Sequence, residues 1–300
     1  MTRLCLVSSF LLAIGIIVFA SQRSSSTAPV LVIHTEPEAI VWIDEIRRGT
    51  TDDSGKLAIT KLSTGRHTLR VRANGFKEIT TPLIPGRKIM TVKLVTTTDE
   101  AELTFQRAEA ARDSARNDAA KEEAVELYRE AIQLRPSYPA AQVGLARLLM
   151  DLNQFKEAHA AIDAARVARP VYPEASAVEG RIYAEAAFTD QAISSFRRAI
   201  REGKGFQPEA HVGLAKVLEE KGQFQEAVAE LKTAINQLSD SEPVIYQMLG
   251  SAYEKIEKPQ EAVAAYEKYL ELAPNGSYAG AIKSILDQLK REAAGEQIIP

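Results

Sequence analysis

The sequence encodes a two-part fold, a small all-β sandwich followed by an all-α solenoid of stacked helix pairs, and two different periods predict it. In the second part Ala124, Ala158, Ala192, Ala227 and Ala262 lie 34, 34, 35 and 35 residues apart. Between residues 30 and 95 the apolar residues alternate with period two instead, as they do in half-buried strands. A third observation, an uncharged apolar run at the amino terminus, indicates where both parts are held.

That run comes first along the chain. Arg3 precedes Leu4 to Ala20, which carry no charge and end at Ser21. At about 1.5 Å per helical residue the run spans roughly 25 Å, against a bilayer core of about 30 Å. Residues 1–20 therefore read as a signal anchor, with a signal peptide cleaved after Ala20 as the alternative. The first reading gives a single-pass membrane protein, the second a secreted or periplasmic one; both put residues 21–300 outside the cytoplasm. The sole cysteine, Cys5, lies within the run, so the exported part forms no disulfide. Residues 21–28 include Ser24, Ser25 and Ser26 and read as a flexible Ser-rich linker.

In residues 29–95, Val41 and Ile43, Leu69 and Val71, and Val92 and Leu94 share strand faces, with turn residues such as Asp52 to Gly55, Ser63 to Gly65 and Asn74–Gly75 between the runs. An antiparallel sandwich is expected. The run from Pro37 to Asp44, then Gly49, Thr50, Gly65, His67, Leu69, Val71, Gly75 and Phe76, resembles a PEGA domain, with Ala39 where that family has a glycine and Thr51 where it has a proline. Residues 29–98 hold 11 Lys and Arg against 7 Asp and Glu, whereas residues 99–300 hold 24 against 33. A mildly basic domain near a membrane suits anionic head groups or acidic envelope polymers, although ordinary solubility charge is the preferred account. Trp42, the only tryptophan, shares a strand face with Asp44. The pair is either core packing or a platform for a cell-wall carbohydrate.

Thr96 to Thr98 leave only a short joint before Asp99 and Glu102, a helix cap of the carboxylate kind, so the β domain and the first helix pair are expected side by side. Four residues after each spaced alanine stand Tyr128, Ile162, Phe196, Leu231 and Tyr266; seven after stand Ala131, Ala165, Ala199, Ala234 and Tyr269. Steps of four and seven keep these on one helical face, where a small residue admits a neighbouring helix and a large one fills the space beside it. The other helix of each pair carries Leu145, Glu179, Leu214 and Leu249 just before Ala146, Gly180, Ala215 and Gly250. Pro139, Pro173, Pro208 and Pro243 suit first turns, whose N–H groups lack intrahelical partners.

This order of small, large, aromatic and proline signals resembles the tetratricopeptide repeat family. It implies about five repeats within residues 99–276, in frames near 105, 139, 173, 208 and 243. The stripe of Ala281, Ile282, Ile285, Leu286 and Leu289 in residues 277–294 reads as a capping helix.

In that family, first-helix residues facing away from the second-helix layer line a concave groove. Here they include Arg147, Arg181 and Lys216, a basic column suited to an acidic partner; four residues on stand Asp151, Glu185 and Glu220, so self-pairing one turn away accounts for the same charges. The family's lysine and asparagine carboxylate clamp is lacking, because Glu109 and Asp113 fill its places in the first frame.

No catalytic constellation is present. His34, His67, His159 and His211 are scattered and read as surface or strand residues, and Asp52 and Asp53 form a turn rather than a calcium loop. No cofactor and no metal is called for. No basic stripe with interleaved aromatics suggests nucleic acid, and the net charge is −3. The expectation is a non-enzymatic extracytoplasmic scaffold that binds a protein or peptide through its groove, with a carbohydrate-binding envelope protein as the alternative.

Overall fold

The structure is a computed structural model, which describes residues 31–293 except 45, 61, 63–66, 85 and 239–241. The apolar run 1–20 and the linker 21–28 lie outside the described residues.

Two small sheets share one apolar core. Strands β1 (Leu31–His34), β2 (Ile40–Ile43), β3 (Ile46–Thr50), β4 (Lys56–Ile59), β5 (His67–Arg72), β6 (Phe76–Lys77), β7 (Ile79–Leu83), β8 (Ile89–Thr91) and β9 (Val95–Thr96) form sheets ordered β4-β1-β8 and β3-β2-β5-β7, with β6 and β9 a separate pair. Leu31, Ile33 and Met90 from the first sheet meet Val41, Ile43, Leu69 and Val71 from the second. The period-two reading thus chose the inward faces correctly. One ladder departs from the antiparallel expectation, because β1 and β8 run parallel with Val32 opposite Ile89. Alternation fixes which face a residue takes but not strand direction, and the whole four-stranded sheet lies in the connection between these two strands, ample for a parallel crossover. Pro82 falls in β7, at the edge of its sheet, where a missing N–H costs least.

Two residues fix the turns around β2 and β3. Buried Thr51 accepts the Ala39 N–H at 2.8 Å and donates to the Glu36 carbonyl at 2.7 Å, so a hydroxyl pins the turn at the position where the sequence departs from the PEGA pattern. Asp52 Oδ1 accepts from Ser54 N, Ser54 Oγ and Lys56 N at 2.7–2.9 Å, which commits this carboxylate to its own turn. Gly55 follows at φ +72°, and a Cβ there would meet the Thr35 carbonyl at 2.0 Å.

Eleven helices follow among the described residues: α1 (Glu100–Ser114), α2 (Asp118–Leu134), α3 (Pro139–Asp151), α4 (Phe155–Ala168), α5 (Pro173–Glu185), α6 (Thr189–Glu202), α7 (Pro208–Glu220), α8 (Phe224–Leu238), α9 (Pro243–Lys255), α10 (Pro259–Leu272) and α11 (Ala279–Ala293). The solenoid expectation holds. Helix α1 begins five residues before the expected frame at 105, because Asp99 accepts from Ala101 N and Glu102 N as its cap. Proline opens α3, α5, α7 and α9, and also α10.

The turn inside each of the last four pairs is the same. Asn153, Ala187, Gly222 and Glu257 take φ between 57° and 73°. The N–H of the next residue returns five positions, Gln154 to Leu149, Phe188 to Tyr183, Gln223 to Leu218 and Lys258 to Tyr253, at 2.8–3.0 Å. This is the Schellman closure of a helix C-terminus. Aromatic rings then lock the pairs together. A Cβ at Gly180 or Gly213 would stand 2.6 or 2.4 Å from the Phe196 ring, so α5 and α7 pinch that ring from either side. Gly250 makes the same room for Tyr266. Helix α11 packs Ile282, Leu286 and Leu289 against Tyr266 and Tyr269. No helix of the described residues is long and apolar enough to cross a membrane.

Candidate partner-binding cleft

The outer face of the β3-β2-β5-β7 sheet lies across the first helices of the repeat pairs, and together they line a cleft of about 1210 Å³. Every residue singled out in the sequence for a binding role lines it: Arg147, Asp151, Arg181, Glu185, Lys216 and Glu220 from the helices, Trp42 and Asp44 from the sheet. The two candidate sites are thus one place.

The β domain is fastened to α1. Arg72, buried in β5, pairs with Glu109 at 2.9 Å, and Glu109 also binds Arg112 at 2.7 Å and accepts from the Tyr128 hydroxyl. Burial alone would raise the Glu109 carboxyl, but Arg112 and Arg72 beside it bring it below the usual carboxylate range. Arg47 of β3 pairs with Asp113 at 3.2 Å. Gln106 completes the joint, accepting from Gly75 N at 2.9 Å and donating to the Phe76 carbonyl at 2.8 Å. Glu109 and Asp113 are the acids standing at the clamp places of the first frame; they hold arginines of the chain's own β domain. Just past the β2–β3 turn, Ile46 is 9% exposed and joins the apolar cluster of Ala177, Phe196 and Leu214.

Trp42 sits on the outward face rather than in the core between the sheets, yet it is only 9% exposed. Its cross-strand neighbour Arg70 places a guanidinium 4.2 Å from the ring centroid, and Arg72 places another at 4.9 Å. A sugar stacking here would have to displace a guanidinium. Asp44 is engaged by its own sheet, 2.5 Å from His67 Nδ1 and accepting from Thr68 N at 2.8 Å.

The two arginines of the basic column are neutralised by residues other than the acids one turn away. Arg147 binds Glu209 at 2.8 and 2.9 Å through two nitrogens and Glu174 at 3.3 Å, while Arg181 reaches the same Glu209 at 3.3 Å. Burial alone would raise the Glu209 carboxyl; Arg147 and Arg181 instead hold it down at about 2. Asp151, Glu185 and Glu220 are exposed and make no ion pair among the described residues. From α7, Glu209 reaches Arg181 on the neighbouring first helix α5 and, past it, Arg147 on α3. Sequence reasoning missed Glu174 and Glu209, although Pro-Glu-Ala recurs at 173–175 and 208–210 as a visible signal.

His211 is neither a surface nor a strand residue. It is buried in α7, with Nδ1 2.5 Å from Glu230 and Nε2 3.2 Å from the Gly205 carbonyl, and ties α7 to α8 and to the loop after α6. No group of three or more metal-ligand side chains converges among the described residues.

A helical-repeat solenoid presenting one long cleft is the class this geometry defines. Two stretches of the sequence agree with that class: residues 122–182 and 206–275 each match a tetratricopeptide repeat model, so tetratricopeptide repeats lie in these two stretches. Similar folds include a thermophilic tetratricopeptide repeat protein of Thermus thermophilus (20% identity, 63% of this chain and 98% of that one, TM-score 0.51). PilF of Pseudomonas aeruginosa is also similar (14% identity, 65% and 88%, TM-score 0.55). So is PilW, a widely conserved type IV pilus biogenesis factor (16% identity, 67% and 88%, TM-score 0.55). At these identities the likeness is one of fold. No curated protein matches the sequence.

Proposed function

We propose that this protein is a non-enzymatic extracytoplasmic scaffold, tethered at the cell envelope by residues 1–20, that binds a protein partner in the cleft between its repeats and a PEGA-like β domain. The observation that carries this reading is the cleft itself, which at about 1210 Å³ is larger than a usual small-molecule pocket and is lined by both modules. The apolar run and the Ser-rich linker support the tether. The protein-partner reading is preferred to carbohydrate binding because the Trp42 face is covered by Arg70. A photo-crosslinking residue placed at Lys216 or Val244, in the cleft, should join a partner in the native membrane fraction, whereas one at exposed Glu123 on α2 should not. Equal yields from all three positions would sink the cleft as the partner site.

A further inference from the structure

The cleft differs in charge along its length. At the α1 to α3 end its arginines are all engaged: Arg47 with Asp113, Arg72 with Glu109, Arg112 with both acids, and Arg147 with Glu209 and Glu174. Ile46 carries the β domain a little further, into the apolar cluster of Ala177, Phe196 and Leu214. At the α5 to α9 end the balance reverses. Glu185, Glu220 and Glu242 line the cleft, are exposed and make no ion pair among the described residues; of the lining cations there, Arg181 is held by Glu209, Arg169 lies over the Tyr172 ring, and Lys216 makes no ion pair among the described residues. Between the acids lie Val212 and Ile245, with Val244 42% exposed.

We propose that the partner segment taken up by this cleft is a basic one, with Lys or Arg alternating with apolar residues, bound along α5, α7 and α9, while the β domain occupies the α1 to α3 end as a built-in ligand. This rests on the reading of the cleft as the partner site. The charge argument is one of complementarity. An acidic segment would meet arginines already neutralised and three uncompensated carboxylates, whereas a basic one gains ion pairs at each of them and buries Val244. The β domain shows the same recognition in miniature, since its Arg47 and Arg72 are what Asp113 and Glu109 hold.

The test measures fluorescence polarisation of short labelled peptides with the full-length chain, comparing alternating Lys/Val, Glu/Val and Ser/Val sequences. The Lys/Val peptide should bind, weaken with added salt, and lose about tenfold in affinity with E185K/E220K. The matched pair Glu122→Lys and Glu123→Lys on α2 should leave it unchanged. All four acids are exposed, so both variants should keep the parent melting temperature. Absence of Lys/Val binding, equal or tighter binding of the Glu/Val peptide, or equal loss in both variants would overturn the proposal. Partner crosslinks that still map to Lys216 and Val244 would then leave the scaffold reading standing, and crosslinks absent from the cleft would remove both.

Discussion

Glu209 is held by arginines from two other helix pairs, so its ionisation is linked to folding. Its folded carboxyl lies near 2 against an ordinary 4.5. A depressed carboxyl contributes stability that is fully present above about pH 4.5 and is lost as pH falls toward 2. Its side chain is 32% exposed, and with solvent screening the contribution is about 2 kcal/mol. The urea midpoint of the parent should therefore fall between pH 5 and pH 3, and Glu209→Gln should start lower at pH 7 and fall less over that range; parallel curves would refute the assignment. Thr51 makes a second prediction. Thr51→Val keeps shape but leaves the Ala39 N–H buried without its partner, which should cost roughly 1–3 kcal/mol in chemical denaturation. Residues such as these were partly legible. The chain shows Glu209 as a first-turn acid after Pro208, but that it spans to Arg147 depends on the superhelical path, which no local pattern encodes.

Helix pairs were the most legible elements, because small and large residues at steps of four and seven leave one way to pack. Their turns were half legible. Asn153 and Gly222 announce a left-handed residue, whereas Ala187 and Glu257 adopt the same conformation against their preference, at roughly 1 kcal/mol each. Replacing either by glycine should raise the melting temperature by a few degrees, while Gly222→Ala should lower it. The glycines around Phe196 give the opposite sign. Gly180→Ala or Gly213→Ala should destabilise by about 1–3 kcal/mol through overpacking. Phe196→Leu in the same chain should recover part of that loss, which a thermal-melt double-mutant cycle would show as non-additivity. The parallel β1–β8 ladder was not legible, since side-chain alternation is identical for either direction.

For the whole molecule, the sequence showed two modules and a short joint between them, but not that the outer sheet face would lie across the groove. That arrangement depends on Arg47, Arg72 and Ile46 finding Asp113, Glu109 and the third helix pair, contacts between residues far apart in sequence. Trp42 reports on it directly. Arg72→Ala should free one guanidinium from the indole and loosen the joint, shifting the emission of the sole tryptophan to the red; an unchanged spectrum would mean that the sheet holds its place without this lock.

Arg147, Arg181 and Glu209 have a further consequence. Repeat arrays are usually treated as chains of units coupled only to their nearest neighbours, able to fray or be shortened one unit at a time. Here an ion pair joins the second helix pair to the fourth and passes over the third. The middle of the array should therefore unfold as one cooperative block, and a chain truncated before Pro208 should lose far more stability than one missing only its last pair.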